Sequence, residues 1–183
     1  MKANILIIFT LLIIFVFSCY NREKRCKLSK VDKQMIPYEL GQTINFIDSL
    51  GHPIVLLNDH DKISWVGENG YLFYECRHIS MKSQLDNFHI GIIVEASCYA
   101  SNNNNIYVIV NSFELNIEYN SKGEFVTNDY AYQQKPLESL EINGKIYYDL
   151  VENKRYNHTI YYNKTYGVLQ LIIDGRDVLT INQ

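Results

Sequence analysis

The stretch Phe113-Glu114-Leu115-Asn116-Ile117-Glu118-Tyr119 alternates without a break between apolar and polar side chains. Successive side chains of an extended strand point to opposite faces, so its four apolar residues share one face and Glu114, Asn116 and Glu118 the other. A helix would spread the same charges around its circumference. The pattern predicts a half-buried antiparallel strand. Residues 88–98 carry the same period, with Phe88, Ile90, Ile92, Val94, Ala96 and Cys98 on one face and His89, Glu95 and Ser97 opposite. A chain built on two such segments is organised around a sheet.

The remaining segments agree. Residues 43–48, 53–57, 62–66, 71–80, 156–163 and 167–173 read as strands, with Leu72, Tyr74 and Cys76 expected on the core side of the third-strand segment. Asn58-Asp59-His60-Asp61 reads as a polar loop, and residues 129–138 as irregular. Asn143-Gly144 and Asp174-Gly175 each sit between two strand-like runs and suit type I′ turns, whose two central residues need positive φ. No helix longer than a turn or two is expected after the first eighteen residues. The expected fold class is all-β, an antiparallel sandwich or a strongly curved or closed barrel of about nine to eleven strands, preceded by a signal-peptide helix.

The N-terminus has a different character. Lys2 precedes a run from Ile5 to Phe17 that is apolar except at Thr10. Such a run is too short to span a bilayer, which needs about 20 residues, and suits the core of a secretory signal. Val16-Phe17-Ser18-Cys19 follows and resembles the lipobox of bacterial lipoproteins. Carried over by position, Val16 is the −3 residue, Ser18 the −1 residue and Cys19 the acylated one, while Phe17 is larger than the residues usual at −2. The resemblance implies cleavage before Cys19 and a membrane held through its lipid. Tyr20 in place of an Asp after the cysteine implies the outer membrane by the enterobacterial sorting rule. The expected organisation is a lipoprotein signal peptide over 1–18, a flexible basic tether over 19–36 and one all-β domain over 37–183.

Charge divides the chain in the same place. Six basic residues lie between Tyr20 and Lys33 against Glu23 and Asp32, whereas residues 34–183 hold ten basic and eighteen acidic residues, a net of −8. An acidic body excludes a nucleic-acid partner, which requires a basic face. With Cys19 acylated, Cys26, Cys76 and Cys98 remain, leaving room for one disulfide and one free thiol. Strand spacing separates Cys76 from Cys98 in a tight hairpin, so both are expected as buried thiols.

Candidate chemistry is sparse. Asn58-Asp59-His60-Asp61 lacks the alternate-position ligands and closing Glu of a calcium loop. His78 and His89 fall on opposite faces by the expected parity and so cannot share a ligand, and His52 and His158 have no recognisable partner. Tyr147, Tyr148, Tyr156, Tyr161, Tyr162 and Tyr166 could form a platform for sugars, but adjacent Tyr pairs in a strand put one ring in and one out. No nucleophile elbow, P-loop, HExxH or dinucleotide glycine motif occurs. No catalytic, metal or cofactor residue is therefore assigned, and Cys19 is the only residue given a role.

Residues Tyr38 to Gly41, Asn143-Gly144-Lys145-x-Tyr147, and Tyr161-Tyr162 with Tyr166-Gly167-Val168-Leu169 make the domain similar to small lipoproteins of Bacteroidota. The resemblance implies export, a lipid anchor and an all-β domain. The expected function is a cell-envelope lipoprotein whose noncatalytic domain binds a ligand, an envelope protein or a glycan. The alternatives are an assembly subunit of a surface structure and a hydrolase with a dispersed site.

Overall fold

The computed structural model describes residues 24–68, 72–83, 89–95, 104–110, 113–128 and 133–182. The signal segment, Cys19 and Cys98 lie outside the described residues. Eleven strands follow one another in a single antiparallel path: β2 (Thr43–Ile47), β3 (Pro53–Glu68), β4 (Leu72–Ser83), β5 (His89–Glu95), β6 (Asn104–Val110), β7 (Phe113–Tyr119), β8 (Gln133–Ile142), β9 (Lys145–Arg155), β10 (His158–Asn163), β11 (Gly167–Ile173) and β12 (Arg176–Ile181). The order across the sheet is β7-β6-β5-β4-β3-β2-β12-β11-β10-β9-β8, and the sheet curls until its ends nearly meet as a barrel. A short β1 (Lys24–Cys26) lies parallel to the start of β4. The expected all-β class holds, in its curved form.

The two glycine hairpins form as expected. Asn143 and Gly144 have φ of 50° and 76°, and Asp174 and Gly175 of 51° and 72°. Only these backbone angles match the right-handed twist of the strands they join. The inner face is lined by alternate residues such as Ile79, Ile92, Val108 and Leu115, which lie opposite one another across four strands and are all buried.

The seam between the two ends is closed by side chains. β7 carries outward carbonyls at Glu114, Asn116 and Glu118, every second residue. Glu114 O accepts from Arg155 Nη1 at 3.0 Å, Asn116 O from Asn153 Nδ2 at 2.8 Å and Glu118 O from Gln134 Nε2 at 2.7 Å. Three donors from β8 and β9 thus stand in for a missing ladder. On the other side Lys135 and Pro136 occupy β8, both poor templates for a further strand.

Two local expectations change. Residues 58–61 are no loop: β3 runs through them, with a bulge between Asn58 and His60. The bulge absorbs one residue, so Asn58 and Asp61 both face inward while His60 faces out. Polar composition suggested a loop because three of these side chains are charged or ionisable, yet Asp59 pairs with Lys82 and Asp61 with Arg77 across the sheet. Likewise β8 begins at Gln133, inside the segment expected to be irregular. As an end strand it needs little apolar alternation.

The largest correction concerns the expected tether over 19–36. Ser29 caps a one-turn helix α1 (Lys30–Gln34) through a capping box with Asp32: Asp32 N donates to Ser29 Oγ at 3.1 Å and Ser29 N to Asp32 Oδ2 at 2.7 Å. Leu28, Asp32, Met35, Ile36 and Tyr38 are buried. Their partners come from strands spread around the sheet. Asp32 Oδ1 accepts from Tyr119 on β7 at 2.8 Å and from Asn104 on β6 at 2.7 Å. Met35 O accepts from Tyr162 on β10 at 2.6 Å, and Tyr38 Oη accepts from Val168 N on β11 at 2.6 Å. The segment therefore sits inside the curl as a plug. Arg77 on β4 holds it from the remaining side. Its guanidinium forks onto Asp61 at 3.0 and 2.8 Å and reaches the carbonyls of Lys33, Ile36 and Tyr38 at 2.7–3.1 Å. The charge of residues 24–33 suggested a solvated segment because the few apolar residues that do the packing are spaced without strand or helix period.

Candidate functional site

The register places three histidines on one outer patch. His60 lies opposite Ser80 and Lys62 opposite His78 across β3 and β4. Ser80 lies opposite Gly91, His78 opposite Ile93 and Lys82 opposite His89 across β4 and β5. Directly opposed residues share a face, so His60, Lys62, His78, Ser80, His89, Gly91 and Ile93 all point away from the core. Ile109 on β6 opposes Gly91 and extends the patch.

This corrects the expected parity of β4. Leu72 and Cys76 are buried, which suggested that even positions face inward, but from Arg77 onward the odd positions Ile79 and Met81 fill the core. His78 and His89 consequently share a face instead of lying on opposite ones. The even-facing half of β4 is apolar only near β1, which runs beside Leu72, Phe73 and Tyr74.

Gly91 makes the patch concave. Its missing side chain leaves a groove of about 380 Å³ over Gly91, Ile93 and Ile109, walled by His60, Lys62, Ser64, His78, Ser80 and His89. A Cβ added at Gly91 would sit in ordinary van der Waals contact with His89 and Ile109 at 3.7 Å, so a side chain there would fill part of the groove. The volume lies in the range of small-molecule sites, about 300–1,000 Å³, and the apolar floor with a few polar walls is their usual chemistry. Among the described residues no carboxylate lines it. Burial lowers the pKa of His78, with the charges of His60 and Lys62 adding to the effect. The groove thus sets one lysine, Lys62, beside a group of imidazoles on an acidic domain.

Ser80 and His89 are in contact, with Oγ and Nε2 3.0 Å apart. This is a distance at which a base could activate a nucleophile. Ser80 also bonds Asp59, whose pKa is lowered chiefly by its bond to Lys82, with Ser80 contributing. A carboxylate only accepts, so the single hydroxyl hydrogen of Ser80 goes to Asp59 and Nε2–H of His89 donates to Ser80. In this tautomer His89 holds a proton at the atom that would have to take one. The chain Lys82–Asp59–Ser80–His89, with the ion pair at 3.1 Å, orients the imidazole at the groove rim.

Other candidates are dispersed by the fold. Asn58 is buried and donates to Glu39 O at 2.8 Å, while Asp59 and Asp61 are engaged by Lys82 and Arg77. The four residues of that run do not converge, and no set of three metal-ligating side chains comes together among the described residues. His52, expected without a partner, contacts Asp48 at 3.0 Å, and His158 stacks on Phe113 with ring centroids 4.4 Å apart. The C-terminal tyrosines form no platform: Tyr147 and Tyr162 are buried while Tyr148 and Tyr156 are exposed, as alternation dictates. Tyr147 and Tyr166 meet edge to face at 5.4 Å beneath Lys145. Cys76 is a free, buried thiol, as expected, whereas Cys26 is disulfide-bonded.

No family model, curated protein or solved structure matches the chain.

Proposed function

We propose that this chain is a cell-envelope lipoprotein, anchored through acylated Cys19, whose barrel domain is noncatalytic and binds a small ligand in the groove beside Gly91. The observation that carries the binding reading is the groove itself: an open, apolar-floored hollow ringed by His60, Lys62, His78 and His89 on an otherwise acidic domain. The tautomer of His89 supports a binding role over a hydrolytic one. Assembly by strand addition is disfavoured because side chains already occupy the carbonyls of β7 and because β8 carries Pro136.

The plug changes what the anchor does. Residues 24–36 belong to the folded domain, so at most residues 20–23 can space Cys19 from it, roughly 15–20 Å if extended. The anchored domain therefore lies close to the membrane surface. Tyr20 in place of an Asp after Cys19 supports the outer membrane.

Two measurements test this function. Membrane fractionation of a Cys19→Ser variant is expected to move the protein to the soluble fraction; retention like the parent rejects the anchor. Thermal-shift screening against a panel of fatty acids, sugars, nucleotides and peptides is expected to find a stabilising ligand whose effect Gly91→Val suppresses. A panel with no hit removes the binding function.

A further inference from the structure

We infer that the groove beside Gly91 takes an amphiphilic monoanion, an aliphatic carboxylate whose head lies among Lys62, His60 and His78 and whose chain lies on Gly91, Ile93 and Ile109. This rests on the binding function proposed above and names its ligand class.

Charge selects the head. Lys62 is the one Lys or Arg among the described lining residues, and the imidazoles of His60 and His78 beside it add N–H donors. That set balances one negative charge. A dianionic phosphate would leave charge uncompensated, and an organic cation would be repelled. The acidic groups of the neighbourhood are already engaged or lie outside the lining: Asp59 is paired with Lys82, and Glu114 opposes Ile109 from β7, one strand beyond the floor. Electrostatic selection of this kind sets specificity more than raw affinity.

Shape selects the body. The rows His60–Ser80–Gly91–Ile109 and Lys62–His78–Ile93 run across the strands. The polar groups of β3 and β4 therefore stand at one end and the isoleucines of β5 and β6 at the other. A ligand lying along this direction meets cation first and hydrocarbon second. A carbon over Gly91 would lie in van der Waals contact with His89 and Ile109 at 3.7 Å, which is where a methylene of the chain packs. Ser80 cannot compete for the head as an anion would, because its hydroxyl is already spent on Asp59 and His89.

Binding of the head also couples to protonation. The groups facing His78 are His60 and Lys62 from β3, Lys82 on its own strand, His89 and Glu95 from β5 and Tyr107 from β6. An anion placed among the first two favours the imidazolium that they disfavour in the empty groove. Affinity is therefore expected to rise as pH falls through the histidine range.

The test uses the mature chain, residues 19–183 with Cys19→Ser, which keeps every described element of the fold and needs no detergent. Decanoate, decanol, decylammonium and acetate are titrated by calorimetry below their micelle concentrations, with histidine ring resonances followed by NMR. Decanoate is expected to bind about tenfold or more tighter than decanol, with decylammonium and acetate not detectable. Lys62→Gln is expected to weaken decanoate about tenfold and leave decanol unchanged, and Gly91→Val to weaken both. Equal binding of decanoate and decanol, or a Lys62→Gln variant that binds decanoate as well as the parent, overturns the anion assignment. Decanoate binding unaffected by Gly91→Val overturns the location. If decanoate fails while another panel ligand still loses its thermal shift in Gly91→Val, the carboxylate assignment falls and the binding function stands.

Discussion

The hydroxyl of Tyr38 lies where a side chain on residue 167 would have to begin: a Cβ built on Gly167 would come within 1.9 Å of Tyr38 Oη. Gly167 also has φ of +77°, in the left-handed region that side chains disfavour. The absence of a side chain lets Tyr38 reach Val168 N at 2.6 Å and lock the end of the plug to β11. Gly167→Ala is expected to cost about 2–4 kcal/mol in urea denaturation, from overpacking plus backbone strain. Tyr38→Ala removes the whole clashing ring, whose Cζ would lie 2.1 Å from that Cβ, but leaves a cavity and a buried N–H unpaired, at about 3–5 kcal/mol. The double variant Gly167→Ala/Tyr38→Ala is expected to be more stable than the sum of the two losses. Strict additivity would show that the two residues do not compete for one space.

Asp32 is the polar centre of the plug, accepting from Tyr119, Asn104 and Ser29 N. Asp32→Ala leaves those donors buried without their acceptor. The expected loss is about 3–5 kcal/mol, read as a fall in thermal or urea midpoint. Deletion of residues 24–36 is expected to prevent folding altogether. A deletion variant with native far-ultraviolet circular dichroism and an unchanged melting temperature would mean that the segment is only a spacer.

Buried phenols make alkaline pH a second probe. Burial raises the pKa of Tyr38, Tyr119 and Tyr162, and burial with the Glu152 carboxylate pushes Tyr161 up to about 12. A group raised in the folded state stabilises it below the unfolded value, near 10 for tyrosine, and that contribution is lost as pH rises through the folded value. The tyrosine contribution to stability is therefore expected to be flat below about pH 10 and to fall steeply above it. Tyrosinate absorbance should include a cooperative step coincident with loss of circular dichroism. A single phase with all tyrosines titrating near 10 would show that the core phenols are not sequestered.

Cys26 is disulfide-bonded and Cys76 is free, so among four cysteines its partner is Cys19 or Cys98. A sulfur carrying lipid cannot also form a disulfide. Acylation of Cys19 thus requires a Cys26–Cys98 bridge. Peptide mapping of the unreduced, membrane-extracted protein is expected to give a Cys26–Cys98 cross-link and one thiol. Cys76, its thiol pushed up to about 12 by burial and the neighbouring Glu95, is expected to resist alkylation until the chain unfolds. A Cys19–Cys26 cross-link would rule out the lipid.

Sequence carried the strands better than the interior. The alternation in residues 113–119 and the Asn-Gly and Asp-Gly turns are local signals, and each became the element expected. The plug left no such signal because Leu28, Met35, Ile36 and Tyr38 are buried by residues more than a hundred positions away as well as by near ones. The groove was hidden by parity. Leu72 and Cys76 are buried on one face of β4 and Ile79 and Met81 on the other, and only the strand register tells which face His78 joins. His89 was placed correctly because every buried residue of β5 on its alternate face is apolar. Gly91 stood out for no sequence reason, since a lone glycine in a strand can equally mark a bulge.

The plug also orders events in time. Met35 bonds to Tyr162 and Tyr38 to the amide of Val168, partners 127 and 130 residues further along the chain. The plug segment, made early in synthesis, cannot be enclosed until β10 and β11 have followed it. Contacts of such sequence separation are slow to form, because loop closure must precede the interactions that stabilise it. The domain thereby stays open during most of its own synthesis, and it closes around residues 28–38 only once residues 162–168 are free to fold.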